Sequence, residues 1–170
     1  MRALVLSDTH LGAATVDRLP AEGWEMAADA DVVLHAGDVV DAEVLSALAE
    51  RGPVHAVLGN NDVGLVGQLA ERLEVDLDST LVAMVHDSGP TAGGPDRLRR
   101  WFPSARVVVF GHSHDPLVED HDGLLLVNPG SPTQRRRQPV HTVAWLEVGG
   151  GDARAEVVPV GPLAVRSTTS

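Results

Sequence analysis

Seven side chains able to hold a metal ion fall at five places in the chain, and each place follows a short apolar run. Asp8 and His10 follow residues 3–6, Asp38 follows 32–34, and Asn60 follows 54–58. His86 follows 81–85, and His112 with His114 follows 107–110. Two carboxylates, one amide oxygen and four imidazoles form a donor set suited to borderline divalent ions such as Mn, Fe, Zn, Co or Ni. Seven donors are too many for one tetrahedral zinc. Two ions sharing a bridging carboxylate use them all, and such pairs, about 3.5–4 Å apart, activate water and clamp a transferring phosphoryl group. The two carboxylates leave such a pair with a local excess of positive charge, which attracts an anion.

The elements that must position these residues can be read from the runs themselves. They are rich in Val and Leu and nearly free of charge, as strands buried on both faces are in a sheet covered by helices. The residues that follow them therefore sit where the chain leaves the sheet, the edge at which open α/β sheets bind ligands. Between the runs, residues 41–51 carry Val44, Leu45, Leu48 and Ala49 on one stripe, with Asp41 as N-cap and Gly52-Pro53 as the stop. The spacing of Leu65, Val66, Leu69 and Leu73 predicts a second helix over 62–73, capped by Asp62. A third is expected near 16–28 and a short one near 96–101. Residues 116–119, 123–127, 140–148 and 153–160 read as consecutive strands without a helix-length gap. The fold class is α/β, with a second sheet. Residues 1–160 are expected to form a single domain, with 161–170 as a C-terminal tail.

Composition narrows the function. The chain has 170 residues and a net charge of −11, its 13 basic residues are all Arg, and it has no cysteine. That length supports one domain with a sizeable core. The charge disfavours passive binding to nucleic acid or an anionic membrane, so a phosphate-bearing substrate has to be drawn by local positive charge such as metal. The lack of cysteine excludes disulfides, thiolate zinc sites and Cys nucleophiles. No apolar run reaches the roughly 20 residues of a membrane span, and the expected location is the cytoplasm. Walker, dinucleotide-binding and Gly-x-Ser-x-Gly motifs are absent.

Asp8-x-His10, Gly37-Asp38, Gly59-Asn60, His86 and Gly111-His112-x-His114 occur in the order of the five motifs of the calcineurin-like metallophosphoesterases, which the chain resembles from residue 3 to about 148. Its length and its Asn128-Pro129-Gly130-Ser131 turn are similar to the small bacterial and archaeal phosphodiesterase branch. The resemblance implies a four-layer αββα sandwich of two mixed sheets flanked by helices. It implies that Asp8, His10 and His114 hold one metal, that Asn60, His86 and His112 hold the other, and that Asp38 bridges them. A hydroxide held between the ions, Mn being the favoured metal, would attack phosphorus in line with the leaving oxygen.

Two positions depart from the family pattern. Asn61 stands where many members have a His thought to protonate the leaving group; its amide can donate a hydrogen bond there but cannot supply a proton. Asp87 follows His86 where Gly is usual and brings a carboxylate to the second metal's loop. The expected substrate is a small phosphodiester, and a homodimer is compatible with the sequence. The rival readings are a phosphomonoesterase and a non-catalytic scaffold, the use made of this architecture by a retromer subunit. His35, His55, His121 and His141 match no ligand position, although His35 lies three residues before Asp38. Arg135-Arg136-Arg137 is the only basic cluster and reads first as a solvated loop.

Overall fold

The computed structural model describes residues 1–161. Ten strands build two five-stranded mixed sheets. In the first, the strands are β1 (Arg2–Leu6), β2 (Val32–His35), β3 (Val54–Ala56), β9 (His141–Gly149) and β10 (Asp152–Val160). Their order is β10-β9-β1-β2-β3, with β1, β2 and β3 parallel and β9 and β10 antiparallel. The second sheet has β4 (Arg72–Leu77), β5 (Thr80–Val85), β6 (Val107–Val109), β7 (Leu117–His121) and β8 (Leu124–Asn128). Its order is β4-β5-β6-β8-β7, with β5, β6 and β8 parallel. The helices are α1 (Ala21–Asp29), α2 (Ala42–Ala49) and α3 (Gly94–Trp101).

Alternation along the strands makes the layers. In β1, Ala3 and Val5 point into a core between the two sheets, where they meet Val82, Met84, Val107, Val109, Leu125 and Val127. Leu4 and Leu6 point the other way, into a second core with Ala27 of α1 and Val44 and Leu48 of α2. Ala83, Val108 and Leu126 on the outer face of the second sheet pack against Leu98 and Phe102 at α3. Both faces of the central strands are thus buried, which is why their runs carry no charge. The four layers run helix, sheet, sheet, helix, as the resemblance implies. Among the described residues no helix is long and apolar enough to cross a membrane.

Two helical expectations are corrected. Residues 62–73 do not form a helix: Val63–Leu65 is a single 3-10 turn, and β4 begins at Arg72. Arg72-Leu73-Glu74-Val75-Asp76-Leu77 alternates charged and apolar residues, the period of a half-buried strand, and pairs in register with β5 across the Asp78-Ser79 turn. Gly64 and Gly67 further weaken a helix, at about 1 kcal/mol each relative to Ala. Residues 16–28 divide at Pro20, whose ring and missing N–H end the 3-10 segment Ala13–Arg18 and start α1. The tail beyond Gly161 lies outside the described residues.

Candidate metal centre

The parallel strands of both sheets end at one rim. Asp8 and His10 lie just past β1, Asp38 past β2 and Asn60 past β3. His86 follows β5 directly, and His112 and His114 follow β6. Backbone hydrogen bonds stitch these loops together, with Asp8 N donating to Gly37 O, His10 N to Asp38 O and Gly111 N to His86 O. Asp8, His10, Asp38, His112 and His114 all adopt left-handed backbone conformations, with φ between 46° and 69°. Such conformations are costly for non-glycine residues and persist where surrounding structure enforces them, as at functional sites.

Two groups of donors result. In the first, His114 Nε2 lies 3.3 Å from His10 Nε2 and 3.3 Å from Asp8 Oδ1, which is 3.9 Å from His10 Nε2. In the second, Asn60 Oδ1 lies 3.0 Å from both His86 Nε2 and His112 Nδ1, and His86 Nε2 lies 3.4 Å from Asp38 Oδ1. Ligands on one ion with bonds of about 2.1 Å stand roughly 3.0–3.4 Å apart, and all of these separations but the 3.9 Å pair match that spacing. The protonation pattern fits too. His86 Nδ1 is 2.8 Å from Ala36 O and His114 Nδ1 is bonded to Gln134 O; each imidazole N–H is taken by a carbonyl, and its Nε2 lone pair faces the site. Asp8 Oδ1 is buried with no hydrogen-bond partner. A carboxylate oxygen and imidazole lone pairs converging without a proton between them call for a cation.

Electrostatics agree. Burial alone would raise the Asp8 carboxyl, but the neighbouring His114, the hydrogen bond from Ser7 and the neighbouring His86 outweigh it and hold the group ionised below its ordinary value. For Asp38, burial is likewise outweighed by His86 and two bonds from Asn61, and the carboxyl lies well below the usual range. Burial holds His10 down, against the pull of Asp38 and Asp8. His86 goes up, because Asp38 and the Ala36 carbonyl overcome its burial. His35, 0% exposed, is pushed down to about 4 by burial and stays neutral, its Nε2 against Thr9 Oγ1.

Around the donors stand supporting residues, of which the sequence points to Asp62, as a cap first and a support second, and to the Asn128–Ser131 turn, as one that shapes the site. Asp62 caps no helix through its side chain. Its buried carboxylate instead accepts from Asp38 N at 3.0 Å, Val40 N at 2.6 Å and Gly59 N at 2.7 Å. Asp8 Oδ2 takes Ser7 Oγ and His112 N. Asn61 donates from its backbone N to Asp38 Oδ1 and from Nδ2 to Asp38 Oδ2. The turn after β8 braces the other side: Asn128 Nδ2 bonds Gly111 O, Ser131 Oγ bonds Asp8 O, and Thr133 Oγ1 bonds Thr9 O. The available signal was a polar Asn-Pro-Gly-Ser turn closing a wholly buried strand. Asp87 does not disturb His86: it is exposed, and its Oδ1 accepts from Gly89 N.

Motif glycines are required by close approach. A Cβ at Gly59 would overlap the Asp38 backbone, and one at Gly111 would overlap Ser7 Oγ and crowd Asp8 Oδ2. Gly111→Ala is therefore expected to lower metal affinity about 10- to 100-fold and to cost about 1–3 kcal/mol of stability. Metal titration and thermal unfolding of the variant check both.

The model of the calcineurin-like phosphoesterase superfamily domain matches residues 1–151. The chain belongs to that superfamily. Members of the metallophosphoesterase family typically bind divalent metals, and the family suggests a hydrolase acting on phosphoester bonds. The chain is 29% identical over 165 residues to a probable metallophosphoesterase of Methanothermobacter thermautotrophicus, covering 96% of this chain and 95% of the relative. It is 31% identical over 160 residues to one of Methanocaldococcus jannaschii, covering 92% and 80%. A predicted phosphoesterase from Streptococcus pneumoniae superposes with TM-score 0.70 at 26% identity, over 95% of this chain and 92% of that one. Two more distant structures share the fold: an archaeal phosphodiesterase (TM-score 0.73, 21% identity, 93% and 100% covered) and Vps29 of Chaetomium thermophilum (TM-score 0.74, 18% identity, 95% and 98% covered).

Proposed function

We propose that the protein is a dinuclear metal-dependent phosphodiesterase. Asp8, His10 and His114 hold one divalent ion, Asn60, His86 and His112 the other, and Asp38 is shared between them. The observation that supports this most is the reach of Asp38: its Oδ1 lies 3.4 Å from His86 Nε2 in one group and its Oδ2 3.6 Å from His10 Nε2 in the other. When bound, two such ions supply an activated water nucleophile and charge neutralisation on the phosphoryl oxygens. Mn is the favoured ion, with Fe, Zn, Ni and Co chemically compatible.

The chain's own contribution is to hold the two carboxylates ionised and all the donors rigid. Asn61 is a positioning residue that acts through Asp38, since both its donors are used there. With no acid at that position, esters with good leaving groups are favoured, and a monoester is the weaker substrate. The substrate is a small diester; the charge of −11 weighs against nucleic acid, and the cytoplasm and a homodimer complete the reading. A scaffold role draws on the likeness to Vps29, which is one of fold alone, and the complete donor set weighs for the enzyme.

The test is hydrolysis of bis-p-nitrophenyl phosphate and p-nitrophenyl phosphate by metal-stripped protein with Mn²⁺, Ni²⁺, Zn²⁺ or nothing added back. Metal-dependent turnover favouring the diester is expected. Turnover of the monoester alone would make the protein a phosphomonoesterase, and none with any metal would favour the scaffold.

A further inference from the structure

We propose that Val63 and Val66 form a subsite for the uncharged, ring-sized ester group of the substrate, an aryl or nucleoside moiety. This rests on the reading of the neighbouring centre as a diesterase. The two valines are 80% and 68% exposed; among the described residues, the other large hydrophobics exposed to a notable degree are Met1 and Val40, at 47% and 38%. Leaving them in water sacrifices burial that a chain with so few aromatics could use, while Leu65 and Leu69 beside them pack into the core. Their place explains the exposure. They line a cavity of about 410 Å³ together with Leu58 and Val85, and two of its walls are the metal donors Asn60 and His86. That volume suits a small-molecule site.

The segment is also fixed relative to the reacting centre. Asp62, immediately before Val63, bonds the backbone of Asp38, Val40 and Gly59. A group resting on the valines therefore keeps a set position with respect to an ester bound at Asn60 and His86.

Charge selects the occupant. Glu71, Asp87 and Arg72 all line the cavity, the Arg72 guanidinium lying 4.0 Å over the Trp101 ring. The two carboxylates outnumber that one cation, and the net negative lining disfavours an anionic arm. A quaternary ammonium finds no aromatic cage, since no Trp or Phe lines the cavity. The cavity on the His10 side, about 630 Å³, by contrast mixes Leu11, Leu19 and Pro20 with Asp17, Arg18 and Glu22. The centre is asymmetric, more apolar beside Asn60 than beside His10, and a diester with one ring-bearing arm has one preferred orientation.

The experiment compares Mn-loaded wild type with Val63→Ser/Val66→Ser and with each single variant, after thermal unfolding has shown them folded. Calorimetry measures binding of thymidine 5′-monophosphate and of inorganic phosphate. Wild type is expected to prefer the nucleotide by about tenfold or more. The double variant is expected to lose that preference to within about twofold, and each single variant to lose part of it. The ratio of kcat/KM for bis-p-nitrophenyl phosphate over methyl p-nitrophenyl phosphate should fall in parallel. Equal wild-type affinity for the two anions, or a preference that survives the double substitution, overturns the subsite. So does a wild-type dimer that the double variant converts to monomer with the preference intact, because the valines then belong to a subunit interface. A preference lost in the variant, in a wild type that turns over no diester with any metal, would sustain the subsite and overturn the diesterase reading instead.

Discussion

Asp38→Asn is expected to lower kcat on bis-p-nitrophenyl phosphate by on the order of a thousandfold at saturating Mn²⁺ while the protein remains folded. The size follows from what a bridging carboxylate does. With one ion of the pair lost or displaced, several kcal/mol of transition-state stabilisation go with it. The fold should survive because Asp38 sits in a loop past β2, and the cores on both faces of that strand do not include it. Asn is nearly the same shape and keeps one oxygen for the Asn61 donors that Asp38 now accepts. Steady-state kinetics with circular dichroism checks the prediction. A variant within tenfold of wild type would remove Asp38 from the centre.

Asp62→Ala is expected to have the largest effect on stability, a loss of about 3–5 kcal/mol in chemical denaturation, with metal binding weakened as well. The Asp62 side chain is 1% exposed and satisfies three backbone N–H groups from two different loops. Hydrogen bonds to a charged acceptor contribute about 1.5–3 kcal/mol each, and the substitution leaves three donors unpaired, two of them buried. One of these is Val40 N, on a β-branched residue held at φ 83°, a conformation that persists only under such restraint. Asp62→Asn keeps one acceptor oxygen and should fall between. An Asp62→Ala protein as stable as wild type would show that the carboxylate is dispensable to the loops it joins.

Much of this was legible in the sequence for a physical reason. Strands buried on both faces lose all charge, so the polar residues at their ends stand out, and parallel strands bring those ends to one rim. Asp8, His10, Asp38, Asn60, His86, His112 and His114 are therefore found together. The same runs point to α/β with a second sheet, while the four layers are implied by the family resemblance. What the sequence hid is tertiary. Leu65, Val66, Leu69 and Leu73 match helical spacing, yet the two-residue alternation from Arg72 to Leu77 competes for the same stretch and wins by pairing with β5. Val66, which the helix would have turned inward, is exposed beside the metal donors. Asp62 reads locally as a cap, and only the folded chain brings Asp38, Val40 and Gly59 to its carboxylate. The brace from Ser131 and Thr133 reaches across more than a hundred residues to the backbone of Asp8 and Thr9.

The most direct test of the two-ion centre is to titrate metal-stripped protein with Mn²⁺, following bound metal and turnover of bis-p-nitrophenyl phosphate in the same samples. Two equivalents should bind, with turnover rising as the second is taken up. Saturation at one equivalent, or two bound ions with no turnover of the diester, would contradict the account.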